Sequence, residues 1–129
     1  MLVVDASVLA PALADGGTDG ERFRTRLRGE AIIGPDLLRI EVTSILRRHA
    51  NSGQLTSEQA DAALSDLLVV PITVFPTAPL LPRVWELRAN LTAYDGCYVA
   101  VAEAADSVLL TADRRLASAP GPRCQIEVL

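Results

Sequence analysis

Four acidic residues lie where a predicted strand ends or on a predicted helix. They are Asp5, Glu41, Asp95 and Asp113. Asp5 ends the apolar run Leu2–Val4, and Asp113 follows the apolar run Val108–Thr111. A carboxylate at the end of a buried strand loses its hydration unless a cation compensates for it. Because Mg²⁺ and Mn²⁺ prefer oxygen ligands, several carboxylates at one sheet edge predict a site for a hard divalent metal.

Glu41 and Asp95 would have to reach this edge from helices. Glu41 stands four residues from both Leu37 and Ile45, which belong to the apolar face of its predicted helix. Its side chain therefore lies on that face or at its margin. Asp95 lies in the first turn of another predicted helix. Convergence of these two with the other acids is inferred from the expected sheet, because ligands gather at the carboxyl ends of parallel strands.

Each acid also has a simpler interpretation. Asp5 and Asp113 are suited to cap the helices that follow them. Asp95 would be stabilised by the dipole and free amides of a first helical turn. Glu41 could pack its stem on the core and pair with a neighbouring arginine. The metal site is favoured because independent capping does not require all four acids to face one sheet edge.

Two hydroxyl residues and the only histidine complete the set of candidates. Ser7 and Thr111 lie near the same edge and could orient a carboxylate or a water, although local capping explains them equally well. His49 comes near a helix end beside Arg47 and Arg48, where a cation is favourable. The sequence therefore favours a structural rather than a catalytic role for this histidine.

The elements that must position these residues alternate along the chain. Strands are predicted at 2–5, 31–33, 72–75, 108–111 and 125–129, and helices at 6–14, 19–28, 36–51, 56–70, 79–91, 93–105 and 113–117. Asp36 is predicted to cap the third helix, and Thr56 with Gln59 forms a capping box at the fourth. This alternation predicts an α/β fold, a three-layer α/β/α sandwich with a mostly parallel central sheet, as one domain over 1–129.

Composition restricts the class of protein. Of 129 residues, 50% are hydrophobic and 22% are charged, which is typical of a globular protein. No apolar stretch approaches the roughly 20 residues of a membrane span, and no signal peptide begins the chain, so a cytoplasmic protein is predicted. Cys97 and Cys124 are too few for a disulfide framework and are interpreted as free thiols. The net charge of −4 argues against a broadly basic surface that coats nucleic acid.

Two other phosphoryl-transfer classes also place an aspartate at a strand end. All 12 basic residues are arginine, so a phospho-receiver domain, which needs a lysine, is excluded. A phosphatase of the haloacid dehalogenase type needs a second aspartate two residues after the first, where this chain has Ser7. Both alternatives are therefore disfavoured.

Four segments, at 3–7, 41, 94–100 and 110–116, carry a resemblance to a known family. They read Val-Val-Asp-Ala-Ser, a helical Glu, Tyr-Asp-Gly-Cys-Tyr-Val-Ala and Leu-Thr-Ala-Asp-Arg-Arg-Leu. In this order and spacing they resemble the PIN domain, and within it the toxins of VapBC toxin–antitoxin pairs. The resemblance implies a Mg²⁺- or Mn²⁺-dependent endoribonuclease. The positions that match its metal-binding acids and adjoining hydroxyl groups are Asp5, Glu41, Asp95, Asp113, Ser7 and Thr111.

The resemblance also implies partners. They are an RNA substrate, a second copy of the chain in a homodimer, and a cognate VapB-type antitoxin in a toxin–antitoxin hetero-oligomer. Such an antitoxin can place an arginine in the acidic site, where a guanidinium would neutralise clustered carboxylates. The basic helix over 22–28 and the pair Arg47 and Arg48 are candidates for RNA phosphate contacts. A solvated helix face explains these arginines as well.

The predicted reaction is hydrolysis of an RNA phosphodiester bond. One or two metal ions would activate water and stabilise charge on the phosphate, with Asp5 and Asp95 as the main ligands. The alternative is a non-catalytic binding module that keeps the fold and uses its acidic cleft to capture a partner arginine. Metal-dependent cleavage of RNA distinguishes the two.

Overall fold

All five strands of the computed structural model, which describes residues 1–129, lie in one sheet. The strands are β1 Leu2–Val4, β2 Ile32–Pro35, β3 Ile72–Phe75, β4 Val108–Thr111 and β5 Ile126–Val128. Their order across the sheet is β3-β2-β1-β4-β5, and every neighbouring pair is parallel. The two central strands, β1 and β4, consist almost entirely of apolar residues because helices cover both of their faces.

Seven helices surround the sheet. They are α1 Ala6–Ala14, α2 Thr18–Leu27, α3 Leu38–Asn51, α4 Ser57–Val69, α5 Leu81–Glu86, α6 Ala93–Ala104 and α7 Arg114–Ser118, with a 3₁₀ turn at Ala78–Leu80. Helices α1 to α4 pack on one another, while α5 packs on α6, and α6 lies against β1, β2 and β4. This is the predicted three-layer α/β/α sandwich. Within strands β1 and β4, the largest fully buried side chains are those of Val3, Val4, Leu109 and Leu110.

The strand order creates a switch point beside β1. The chain moves outward from β1 to β2 and β3 on one side, then returns to place β4 and β5 on the other. Connections from β1 and β4 therefore leave in opposite directions, which opens a crevice at their carboxyl ends. Asp5 follows β1 and Thr111 ends β4, and Val4 and Leu110 are register partners just before them. The topology thus brings the first and last acidic segments together.

The predicted role of Asp36 as the cap of α3 is wrong. The residue that precedes α3 is Leu37, and no side chain caps it. Strand β2 continues through Gly34 and Pro35, which pair with β3, so the chain turns later than predicted. The Asp36 carboxylate instead accepts hydrogen bonds from the Thr77 backbone N–H at 3.3 Å and hydroxyl at 3.1 Å. Asp36 therefore ties the ends of β2 and β3 together.

The predicted helix over 79–91 is divided. It comprises the 3₁₀ turn and the short α5, and the backbone then turns before α6. The beginning of α6 is set by Thr92, whose hydroxyl accepts a hydrogen bond from the Asp95 backbone N–H at 3.1 Å. The capping box of Thr56 and Gln59 forms as predicted. The Thr92 cap has the same chemistry, and it fixes where Asp95 stands in its helix.

Two further observations concern the chain as a whole. Both cysteines are free thiols, as predicted, with Cys97 buried and Cys124 half-buried. None of the helices combines the length and the apolar character that crossing a bilayer would require.

Candidate functional site at the carboxyl edge of the sheet

Asp5 is buried at the centre of the crevice, with only 6% of its surface exposed. It caps α1, and its Oδ1 accepts hydrogen bonds from the Ser7 backbone N–H at 3.0 Å and from the Ser7 hydroxyl. Its Oδ2 accepts a hydrogen bond from the Thr111 hydroxyl across the sheet. Burial raises the pKa of Asp5 above its usual range, although the hydrogen bonds from Ser7 and Thr111 act in the opposite direction. Asp5 is therefore a fixed carboxylate, held in one orientation at some electrostatic cost.

Ser7 and Thr111 are themselves held by the turn that follows β4. The Ser7 hydroxyl oxygen accepts a hydrogen bond from the Ala112 backbone N–H at 3.0 Å. The Thr111 hydroxyl oxygen accepts one from the Asp113 backbone N–H at 3.0 Å. Because each hydroxyl oxygen already accepts a hydrogen bond from a backbone N–H, each hydroxyl donates its own proton in a hydrogen bond to Asp5. The capping and site interpretations of these residues therefore coexist, since both hydroxyls lock Asp5 to the β4–α7 turn.

Glu41 approaches the same edge from the first turn of α3. It is half-buried, and its Oε1 atom is inaccessible to solvent and has no hydrogen-bond partner. Burial is the main cause that raises the pKa of Glu41; the Tyr98 hydroxyl lowers it, and the nearby Asp5 and Asp95 carboxylates raise it further. The predicted position of Glu41 at the margin of the apolar face is therefore observed. Its orphaned carboxylate oxygen marks an incomplete set of contacts.

Asp95 and Asp113 form the outer part of the crevice. Both line a cleft of about 260 Å³ together with Arg115. Burial raises the pKa of Asp95, the Thr92 hydroxyl lowers it, and the carboxylate of Asp113 raises it. Asp113 caps α7, because its Oδ1 accepts a hydrogen bond from the Arg115 backbone N–H at 2.9 Å. The Arg115 guanidinium, 94% exposed, lies 3.5 Å from the same oxygen, so an exposed cation lies at the rim.

The structure brings all four predicted acids into one electrostatically coupled group. Asp5 is coupled to Glu41 and to Asp95, and Asp95 is also coupled to Glu41 and Asp113. No ion pair neutralises Asp5, Glu41 or Asp95. As they stand, the side chains do not form a cluster of three or more ligands around one point.

The residues nevertheless fit a hard divalent cation. All of their donors are carboxylate oxygens, which Mg²⁺ and Mn²⁺ prefer. Burial raises the pKa values of three of these acids, and an adjacent cation acts in the opposite direction by favouring the charged form. Glu41 Oε1 is a buried acceptor that lacks any donor. Since Asp5 is fixed by three hydrogen bonds, convergence on an ion would require movement of the other side chains.

Other predicted candidates lie elsewhere or have structural partners. His49 lies near the end of α3 in a separate pocket with Asp15 and Gln54. Within the basic helix, Arg24 donates hydrogen bonds to backbone carbonyls of α1 and its end, and Arg26 forms a bidentate pair with Glu127. Two of the four arginines over 22–28 are therefore committed to the fold rather than free for RNA.

Three residues of the site are not among those predicted from the sequence. They are Thr92, Tyr98 and Arg115. Thr92 could have been found from its spacing of three residues to Asp95, the same spacing that revealed the capping box. Tyr98 stands in an otherwise apolar helix, where a buried phenolic hydroxyl requires a polar partner. No pattern in the sequence indicates which residue that partner is.

Comparison with known proteins adds independent findings. The PIN domain family model matches residues 2–122. Ribonuclease VapC1 of Mycobacterium tuberculosis (strain ATCC 25618 / H37Rv) is 42% identical over 128 residues, which cover 98% of this chain and 96% of that protein. The crystal structure of PAE2754 from Pyrobaculum aerophilum matches with a TM-score of 0.69 at 27% identity, over 98% of this chain and 83% of that chain. The crystal structure of VapBC2 from Rickettsia felis, bound to a DNA fragment from their promoter, matches with a TM-score of 0.68 at 13% identity, over 98% and 96%.

Proposed function

The chain belongs to the PIN domain family, and we propose that it is a divalent-metal-dependent endoribonuclease that acts as the toxin of a type II toxin–antitoxin pair. The observation that carries this proposal is the group of Asp5, Glu41 and Asp95 at the switch point of the sheet, which are buried or half-buried carboxylates without an ion-pair partner. The chain is 42% identical to a protein named Ribonuclease VapC1, which supports RNA as the class of substrate. The catalytic and metal-binding residues that we propose are Asp5, Glu41, Asp95 and Asp113, with Ser7 and Thr111 in support.

A bound Mg²⁺ or Mn²⁺ would supply the Lewis acid that makes an RNA phosphodiester reactive. Asp5 provides the fixed side of the site, because Ser7 and Thr111 hold both of its oxygens. Glu41 and Asp95 provide negative charge from two different helices, so they can adjust to the ion. Charge on the RNA phosphate is unfavourable beside four carboxylates, which makes the cation a condition for substrate binding as well as for reaction.

The attacking group in this proposal is water. A ribonuclease that uses the ribose 2′-hydroxyl needs a general base beside it, and histidine is the usual choice. The only histidine, His49, lies in a separate pocket near the end of α3, away from the acids. Hydrolysis by water leaves no 2′,3′-cyclic phosphate, so the product ends report on the mechanism.

The proposed partners follow from the same site. An acidic crevice that repels RNA without a cation would bind a guanidinium supplied by a protein, since an arginine forks onto two carboxylate oxygens. A cognate antitoxin of the VapB type is therefore proposed as the inhibitor, and a homodimer as the state of the free toxin. The similar fold of VapBC2 from Rickettsia felis is compatible with such an assembly.

The proposal predicts that the purified chain cleaves total RNA in Mn²⁺ or Mg²⁺ and not in EDTA. The ends of the fragments are expected to carry free hydroxyl and phosphate groups without cyclic phosphate. Cleavage is measured by gel electrophoresis of the RNA, and the chemical groups at the fragment ends are identified by end mapping. Cleavage that persists in EDTA, or cyclic phosphate ends, would contradict the mechanism. A folded protein that binds an arginine-bearing partner without cleaving any RNA would instead support the binding module.

The hydrogen bond from the Thr111 hydroxyl to Asp5 is expected to matter for activity. Thr111→Val keeps a β-branched side chain in a fully buried strand position and removes the hydroxyl that binds Asp5 Oδ2. We expect cleavage to fall by roughly ten- to a hundredfold, as when partners of metal ligands are removed elsewhere. Thr73→Val is the matched control, because Thr73 lies exposed on β3. Equal activity of the two variants would show that the Thr111 hydroxyl has no part in the site.

A further inference from the structure

Tyr98 carries a buried polar atom that the proposed mechanism does not use. It lies on α6, three residues after Asp95, and only 1% of its surface is exposed. Its hydroxyl has no hydrogen-bond partner in the structure. Burying a phenolic hydroxyl without a partner is unfavourable, and such groups in folded proteins usually have one. The hydroxyl therefore calls for an explanation beyond the packing of the ring.

The acceptor that matches this unpartnered donor is a carboxylate oxygen of Glu41. Glu41 Oε1 is the only other buried side-chain atom without a hydrogen-bond partner. No hydrogen bond joins the two groups in the structure, and the mutual effect on their pKa values, lowered for Glu41 and raised for Tyr98, agrees with their lying close together. A carboxylate only accepts hydrogen bonds, so the donor of this pair is Tyr98. The fold thus buries one donor and one acceptor that both lack a hydrogen-bond partner.

The other acids do not compete for this hydroxyl. Asp5 raises the pKa of Tyr98 as a nearby charge, but both of its oxygens have donors in Ser7 and Thr111, whereas Glu41 Oε1 has none. Asp95 is half-buried and none of its oxygens is a buried atom without a partner, whereas Glu41 Oε1 is. A tyrosine hydroxyl has an ordinary pKa of about 10, so it carries its proton at neutral pH and can donate it in a hydrogen bond. Glu41 is therefore the acceptor that the structure leaves for it.

We propose that Tyr98 is a positioning residue whose hydroxyl donates a hydrogen bond to Glu41 and holds this carboxylate in the orientation that serves the metal site. The inference rests on the proposed function, because it assigns Glu41 to the metal. Asp5 needs no such help, since Ser7 and Thr111 hold it from both sides. Glu41 comes from α3 and has no other donor for Oε1. Carboxylates that bind metals are themselves hydrogen-bonded as a rule, and these outer partners govern affinity.

The test is the affinity of Tyr98→Phe for Mn²⁺, measured by titration calorimetry or by the electron paramagnetic resonance of free Mn²⁺. We expect the Kd to rise by roughly ten- to a hundredfold relative to the wild-type chain. The melting temperature in EDTA is expected to stay equal or increase, because phenylalanine keeps the ring and removes an unsatisfied hydroxyl. Tyr94→Phe is the matched control, since Tyr94 lies on the same helix and is 64% exposed.

A second variant tests whether Tyr98 acts through Glu41. In a Glu41→Gln background, adding Tyr98→Phe is expected to cause little further loss of Mn²⁺ affinity, because the residue that it orients no longer carries charge. Independent, additive losses would overturn the inference. So would a lower melting temperature of Tyr98→Phe with an unchanged Kd, which is the result of a packing role. A wild-type chain that binds no Mn²⁺ would overturn the proposed metal site itself, a distinct outcome from the failure of Tyr98→Phe alone.

Discussion

Asp5→Asn is expected to lower RNA cleavage by about a thousandfold, or about 4 kcal/mol of transition-state stabilisation, while the chain stays folded. The amide has nearly the shape of the carboxylate but no charge, and one of its oxygens becomes an NH₂ group. That group then faces the hydroxyl of Ser7 or Thr111, each of which directs its proton at this position. The variant therefore removes the negative charge of a proposed metal ligand. It also disrupts one of the hydroxyl hydrogen bonds that orient this side chain. Cleavage of a defined RNA in Mn²⁺, measured as a single-turnover rate, gives the result.

The control for this variant is Asp61→Asn. Asp61 lies exposed on α4, and the change is chemically the same. We expect Asp61→Asn to cleave RNA at the wild-type rate, whereas Asp5→Asn does not. Melting of Asp5→Asn in EDTA should stay close to that of the wild type, because the hydrogen bond lost at the amide is offset by removal of a charge that burial makes unfavourable, as the raised pKa of Asp5 indicates. Full activity of Asp5→Asn would remove Asp5 from the site, and unfolding of the variant would show that its charge is structural.

The part of this site that lies on strand ends could be predicted from the sequence. The apolar runs before Asp5 and Asp113 are long enough to identify buried strands, and parallel strands place their carboxyl ends at one edge. The position of strand ends does not depend on how the helices pack. Asp5 and Thr111 could therefore be placed side by side from the strands alone, although they are 106 residues apart in the chain.

The contacts between helices could not be predicted in the same way. Glu41 and Tyr98 affect one another's pKa because α3 and α6 both reach this crevice, and neither helix has a sequence pattern that identifies the other as its neighbour. Asp36 illustrates the same difficulty, since capping chemistry favours α3 but pairing of β2 with β3 brings Thr77 closer. Local patterns indicate which hydrogen bonds a residue is able to make, whereas tertiary structure determines which of them it makes.

Binding of Mn²⁺ is expected to stabilise the wild-type fold, and the gain should depend on pH. At a hundred times its Kd, a ligand that binds only the folded state adds about 2.7 kcal/mol. For a domain of this size that corresponds to a rise in melting temperature on the order of 10 °C. The gain should vanish in EDTA and be much smaller in Asp5→Asn. Differential scanning fluorimetry with and without the ion provides the measurement.

The sign of the pH dependence follows from the pKa shifts. Burial raises the pKa values of Asp5, Glu41 and Asp95 above those of the unfolded chain. The folded state therefore holds these protons more tightly, and the metal-free fold loses stability as pH rises from about 4 through the raised values. Metal requires the deprotonated carboxylates, so its stabilising effect is fully present above the raised pKa values and declines as pH falls through them.

The difference between melting temperatures with Mn²⁺ and with EDTA separates the contribution of these three acids from that of the other titrating groups. Glu30, Glu103 and Glu127 have pKa values lowered by hydrogen bonds from their cationic partners, and they give stability the opposite slope. Their contribution is the same with and without the ion, so it cancels in the difference. A difference that grows as pH rises from mildly acidic to neutral indicates an ion that competes with protons for buried carboxylates. An equal difference at both pH values would place the ion on exposed acids and away from Asp5.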